Sequence, residues 1–168
     1  MTDPPNTVSL VARTADDMRR LGVLLARRLR DGDVLIATGA LGAGKTVLAQ
    51  GLGAGLGVVG PVTSPTFVLA RLHRPGPGSG LGFMHVDAYR LGSAAELADI
   101  DLDYHLTGNV TFIEWGEGMA EWLSDERLSV AIERRPDDER RVVLTPVGRR
   151  WDDVDWDGLR HEFEEGDA

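Results

Sequence analysis

The run Val34-Leu35-Ile36-Ala37 and the segment Gly39-Ala40-Leu41-Gly42-Ala43-Gly44-Lys45-Thr46 decide how this 168-residue chain is read. The first four residues are apolar with β-branched members, the mark of a strand buried on both faces. The eight that follow match the phosphate-binding pattern G-x-x-x-x-G-K-[ST]. Glycines let the backbone curl until successive N–H groups face one anion. A helix opening near Lys45 adds the positive end of its dipole. In that geometry the Lys45 ammonium sits between the β- and γ-phosphates of a nucleotide, and the Thr46 hydroxyl ligates Mg²⁺. The expectation is binding of ATP with Mg²⁺. By average residue usage the pattern arises by chance in roughly one of a few hundred chains of this length. Here a strand precedes it and a helix follows it, and Lys45 is the only lysine beside seventeen arginines. A composition that otherwise uses arginine keeps a compact ammonium at this one place.

Working outward, the helix runs from about Lys45 to Leu56 and stops near Gly57. Upstream, Asp16, Asp17, Met18, Leu21, Leu25 and Leu29 give an amphipathic helix with acids in its first turn and Thr14 as N-cap. Asp31-Gly32-Asp33 breaks it. Downstream, Val62 to Leu72 is extended, Pro75 to Gly80 is a flexible connector, and Leu81 to Val86 is a strand. Ser93-Ala94-Ala95-Glu96 has the capping-box pattern of a helix start. Val110 to Ile113 is a second buried strand, followed by a helix near Glu117 to Leu123. Leu128 to Glu133 and Arg141 to Val147 form two strands joined at Pro136-Asp137-Asp138. The fold class expected is α/β: one P-loop NTPase-like domain over residues 1–150, with a mixed sheet and helices on both faces.

The remaining composition bounds the function. With 42% hydrophobic residues the chain supports a real core. No apolar run is long enough to span a membrane, and the polar start with Pro4 and Pro5 lacks the pattern of a signal peptide. There are no cysteines, which excludes thiolate chemistry and fits a reducing, cytoplasmic setting. The net charge of −9 is concentrated after Trp151, where eight acids face Arg160, leaving the body near −2. Neither part reads as a surface for the phosphate backbone of nucleic acid. The acidic tail, 151–168, reads either as a solvated, partly disordered terminus or as a short helix docking Trp151, Trp156, Leu159 and Phe163.

A phosphate loop needs acids to hold the metal and place water. Asp87 and Glu114 each end an apolar run, so each emerges at the carboxyl edge of the sheet; the bland alternative is a solvated acid. Thr63-Ser64-Pro65-Thr66-Phe67 offers hydroxyls to a γ-phosphate, metal or water, or is a plain turn. His85 shares a strand face with Asp87 and either orients it or is a satisfied core histidine. The four histidines form no metal cluster, and Trp115 reads as core or lid. No clear internal arginine finger is visible, Arg71, Arg74 and Arg90 being the only candidates, and the sequence does not reveal the adenine contacts, for which loops near Thr14 or Arg141 are the places to look.

Taken in order, Leu41-Gly42-Ala43-Gly44-Lys45-Thr46, Ser64-Pro65-Thr66-Phe67, His85-Val86-Asp87-Ala88-Tyr89-Arg90-Leu91 and Ile113-Glu114-Trp115 resemble the TsaE family, over about residues 8 to 147. These are the bacterial P-loop ATPases of tRNA threonylcarbamoyladenosine synthesis. The resemblance implies a weak, partner-stimulated, Mg²⁺-dependent ATPase that works with TsaB and TsaD and meets tRNA only through them. TsaD transfers the threonylcarbamoyl group to adenosine 37 of tRNAs reading codons that begin with A. Carried over by motif, the Leu41 to Thr46 backbone holds the phosphates, with Gly42, Ala43 and Gly44 inside it. Thr46 and Glu114 hold Mg²⁺, Asp87 assists hydrolysis beside Lys45, and Trp115 lies near the nucleotide. The chain departs from the family at Val47 and Gly116, where a second hydroxyl residue and a proline are usual. A small-molecule kinase, with Arg74 and the Pro75–Gly80 segment as its lid, and a non-catalytic nucleotide-gated binding module are the alternatives.

Overall fold

Parity along the strands builds the two-sided sheet. In the computed structural model, which describes residues 6–40, 42–63, 70–88, 95, 102–115, 118 and 120–166, the strands are β1 (Val8–Ala12), β2 (Val34–Thr38), β3 (Ala70–His73), β4 (Gly82–Asp87), β5 (Asn109–Glu114), β6 (Arg127–Arg134) and β7 (Arg140–Val147). The α-helices are α1 (Ala15–Ala26), α2 (Lys45–Leu56) and α3 (Trp156–Glu165). The sheet order is β1-β7-β6-β2-β5-β4-β3. The central pairs β6–β2, β2–β5 and β5–β4 are parallel, and the outer pairs are antiparallel. Because the four central strands run the same way, Arg134, Thr38, Glu114 and Asp87 all end at one edge.

Alternate residues point to opposite faces. Leu35, Ala37, Phe83, Phe112, Leu128, Val142 and Leu144 join α1, α2 and α3 in one core. Val34, Ile36, Met84, Val86 and Ile113 face the other way, where 3-10 turns at Leu102–His105 and Glu121–Leu123 close a second core among the described residues. α1 opens on the Thr14 capping box, with Asp17 N–H donating to Thr14 Oγ1 at 3.0 Å. Both α1 and α2 start at the carboxyl edge and run side by side. They touch backbone to backbone: a Cβ at Gly22 would lie 2.6 Å from the Leu48 carbonyl oxygen, and one at Gly51 only 2.1 Å from that of Arg19.

Several local expectations change. β1 was not anticipated, although Val8, Leu10 and Ala12 alternate inward along it. Of the helix expected over 117–123, the described residues hold the short turn at Glu121–Leu123. The Pro75–Gly80 segment is pinned: Val58 and Pro75 form a β-bridge, Gly76 N–H donates to Gly57 O at 2.9 Å, and Ser79 Oγ donates to Leu56 O. Ser64–Phe67, Tyr89–Leu91 and Ser93–Ala94, with Glu96, Gly116 and Glu117, fall outside the described residues. In the tail, Trp151, Leu159 and Phe163 are buried in the first core, and Arg150 grips Asp33 with two bonds of 2.7 Å. No described helix is long and apolar enough to cross a membrane.

The α1–α2 contact makes a signed prediction. Alanine at an ordinary helix glycine stabilises by about 1 kcal/mol. At Gly51 the new methyl meets backbone that cannot turn aside, and such overpacking costs about 3 kcal/mol. Gly51→Ala should therefore lower stability by about 2 kcal/mol net, a fall of roughly 4–8 °C in Tm by calorimetry. A rise in Tm would refute the close approach.

Candidate functional site

β2 delivers the chain to the edge, and the loop after it turns back into α2 through Gly44, whose φ of 113° suits only a residue without a Cβ. Leu41 lies outside the described residues; Gly42, Ala43, Gly44, Lys45 and Thr46 are described. Lys45 is 5% exposed. Its Nζ donates to the carbonyls of Gly39 at 2.5 Å and Ala40 at 3.0 Å, and lies 3.9 Å from the centre of the Trp115 ring. Burial holds its ammonium below the usual lysine range, opposed by the carboxylates of Glu114 and Asp87. Trp115 turns out of β5 at φ 64°, its N–H donating to Ala37 O at 2.9 Å.

The acids arrive by register. Asp87 and Glu114 are paired across β4 and β5, both on the α2 side. Glu114 is 4% exposed, and Thr46 Oγ1 donates toward its Oε1 and Oε2 at 3.3 and 3.4 Å. His85 takes a different partner from the one its spacing suggested. Its Nε2 meets Glu114 Oε2 at 2.5 Å, across to the next strand rather than along its own to Asp87. Lys45, Thr46, Asp87 and Glu114 line a cleft of about 220 Å³ with Gly42, Gly44, Val47 and Trp115. Its donor set of hydroxyl and carboxylate oxygens suits Mg²⁺, which takes one or two protein ligands and completes its shell with phosphate and water. Thr46 and Glu114 are the pair that could hold it.

A second cleft of about 200 Å³ shares Gly42, Gly44 and Val47 with the first and extends under Ala12, Thr14, Ala15 and Met18 to Asp138 and Arg140. Arg140 is the residue that sequence reasoning missed. Its Nε donates to Ala43 O at 3.0 Å, Nη2 to Gly42 O at 3.3 Å and Nη1 to Asp138 O at 2.7 Å. Hydrogen bonding from Arg140, and then from Arg134, holds the Asp138 carboxyl below the usual carboxylate range. Of the two positions near which a base contact could fall, Thr14 lines this cleft, whereas Arg141 faces the opposite side of β7, where its Nε donates to Ser9 Oγ at 3.1 Å. Parity supplied the missing signal: Arg140 leads the inward series Val142, Leu144, and a charge at an inward position needs partners. Among the arginine-finger candidates, Arg71 is exposed on the outermost strand, and Arg90 lies outside the described residues. Arg74 sits beside Val59, past the far end of α2, where its carbonyl accepts the Val59 N–H at 2.9 Å.

The chain is similar to several known proteins. A family model described as "Threonylcarbamoyl adenosine biosynthesis protein TsaE" matches residues 12–142. A protein of Streptomyces coelicolor named tRNA threonylcarbamoyladenosine biosynthesis protein TsaE is 51% identical, covering 82% of this chain and 96% of its own. The protein of the same name from Bacillus subtilis is 35% identical over 88% of this chain and 90% of its own. The crystal structure of Bacillus subtilis YdiB superposes with a TM-score of 0.72 at 30% identity, covering 99% of this chain and all of that one.

The Arg140 clamp predicts a local effect. Arg140→Ala should speed amide hydrogen exchange in residues 42–46 by about tenfold or more, the worth of a charge-assisted bond. Exchange in β2 and β5 should stay as it was. Unchanged loop exchange would show that the guanidinium does not hold the loop.

Proposed function

The chain belongs to the TsaE family of tRNA threonylcarbamoyladenosine biosynthesis proteins, and on that premise we propose that it binds ATP with Mg²⁺ and hydrolyses it slowly as an accessory subunit of that modification. The observation that carries this reading is the convergence of Lys45, Thr46, Asp87 and Glu114 on one cleft at the carboxyl edge of the parallel strands. The partners are TsaB and TsaD, tRNA is met through them, and the work is cytoplasmic.

Each residue then has a task. The loop N–H groups from Gly42 to Thr46 face the phosphates. Lys45 exchanges the Gly39 and Ala40 carbonyls for phosphate oxygens, where an ammonium is most useful. Thr46 and Glu114 hold Mg²⁺, which when bound neutralises charge on the β- and γ-phosphates. Asp87, beside Glu114 in register, orients the attacking water. The cleft over Met18 and Val47 takes the adenine, since it opens from the same loop residues and its floor is apolar. Catalysis is positioning and charge neutralisation. The kinase reading loses its lid, because Pro75–Gly80 is tied to Leu56 and Gly57 at the far end of α2, about 18 Å along a twelve-residue helix from the phosphate loop.

The deciding experiment is ATP turnover by the purified protein, alone and with TsaB and TsaD. Stimulation by the partners that vanishes in Lys45→Ala and Glu114→Gln is the expected result. Lys45→Ala should weaken ATP binding by about a hundredfold, equivalent to two charge-assisted bonds; retained affinity would sink the phosphate-site assignment. Binding without turnover in any mixture would favour a non-catalytic module.

The base cleft has its own test. Ala15 is exposed at the cleft rim, so Ala15→Trp fills the cleft without disturbing the core. ATP affinity should fall by about tenfold or more, while affinity for inorganic tripolyphosphate stays level. Equal losses for both ligands would move the adenine elsewhere.

A further inference from the structure

His85 stands where packing alone would ask for something else. It is wholly buried, one pleat below Asp87 on β4, opposite Phe112 of β5. Its ring stacks on Phe83 at 5.9 Å between centroids and meets Phe112 edge-on at 5.7 Å. A phenylalanine or leucine would fill this slot as far as packing goes, whereas imidazole brings a buried Nδ1 that has no hydrogen-bond partner among the described residues. A buried polar atom left without a partner costs stability. The compensating contact is at the other nitrogen: Nε2 lies 2.5 Å from Glu114 Oε2. An ionised Glu114 only accepts, so against it Nε2 would be the donor in this bond.

Resting on the Mg²⁺–nucleotide reading above, we infer that His85 is a positioning residue for Glu114, occupying Oε2 so that Oε1 is presented to the cleft beside Thr46. The two aromatic rings fix the imidazole, the imidazole fixes the carboxylate, and the carboxylate meets the Thr46 hydroxyl on α2. The glutamate is thereby set in one rotamer before any ligand arrives. Outer partners of this kind usually change metal affinity by about tenfold to a hundredfold when removed.

The test separates metal from nucleotide. ADP affinity is measured by calorimetry with Mg²⁺ and again with EDTA, in the wild type, His85→Phe and His85→Gln. The phenylalanine keeps the packing and loses the donor; the glutamine amide restores a donor near Nε2. We expect all three to bind ADP alike in EDTA. The gain that Mg²⁺ brings to the wild type should shrink by about tenfold or more in His85→Phe and largely return in His85→Gln. A full Mg²⁺ gain in His85→Phe would overturn the positioning role. No Mg²⁺ gain in the wild type would instead overturn the metal reading on which it rests. The imidazole nitrogens of the wild-type protein, observed by NMR, give a second route that needs no variant to fold. A proton on Nε2 supports the assignment, and a ring protonated on Nδ1 alone refutes it.

Discussion

A carboxylate buried at 4% exposure must find donors or lose its charge, and much of this site follows from how Glu114 finds them. Its partners come from two separate elements: Thr46 and the nearby ammonium of Lys45 from the first turn of α2, and His85 from β4. Each can reach it because the central strands are parallel and end at one edge. Reversing any one of them would carry its acid to the opposite edge. The same burial explains why Lys45 is pressed below its ordinary range while the two acids restrain the shift. The charges are mutually dependent, and the sheet order is what brings them together.

The floor beneath is set by backbone contact. Gly22 and Gly51 let α1 approach α2 until their main chains touch, which brings Met18 to within 3.3 Å of where a Gly44 side chain would begin. The loop is thus packed from below by α1 and held at its rim by Arg140 from the β6–β7 hairpin. The hairpin, α1 and the loop share one cleft, so a base seated there would touch all three. A mobile loop would have to pay the ordering entropy at each binding event, and this packing reduces it in advance.

What could be read in the residues divides along physical lines. The turn from β2 into α2 was legible because its backbone requirement leaves few residue choices, and the apolar runs gave β2, β4 and β5. Asp87 and Glu114 were legible as strand ends. Arg140 was not, because one residue of error in strand register exchanges it with Arg141, and only the pairing with β1 and β6 fixes the parity. His85, read as orienting Asp87 or as a satisfied core histidine, meets Glu114 for a related reason. Spacing along one strand is visible in a sequence, while the diagonal neighbour on the next strand depends on register. The Pro75–Gly80 segment looked flexible by composition, yet it is fastened by Val58, Gly57 and Leu56, which are near in space and distant in sequence. In the tail, the spacing of Trp151, Leu159 and Phe163 offered a docked helix beside the solvated alternative, and the helix forms, with Arg28 meeting Glu162 and Arg150 meeting Asp33.

The charge balance of the cleft also bears on the order of events. Among the described lining residues, one ammonium faces two carboxylates. A bare triphosphate entering such a cleft would meet Lys45 and the loop N–H groups on one side and two like charges on the other. At close range in a partly buried site those repulsions are worth several kcal/mol, enough to offset much of what the loop supplies. A divalent cation reverses the sign of that surface. Under the proposed reading, metal and nucleotide are therefore coupled ligands, each raising the affinity of the other by the same factor. The buried glutamate then serves two ends with one charge: it selects for the metal–nucleotide complex over free nucleotide, and it keeps the empty cleft from holding phosphate anions indiscriminately.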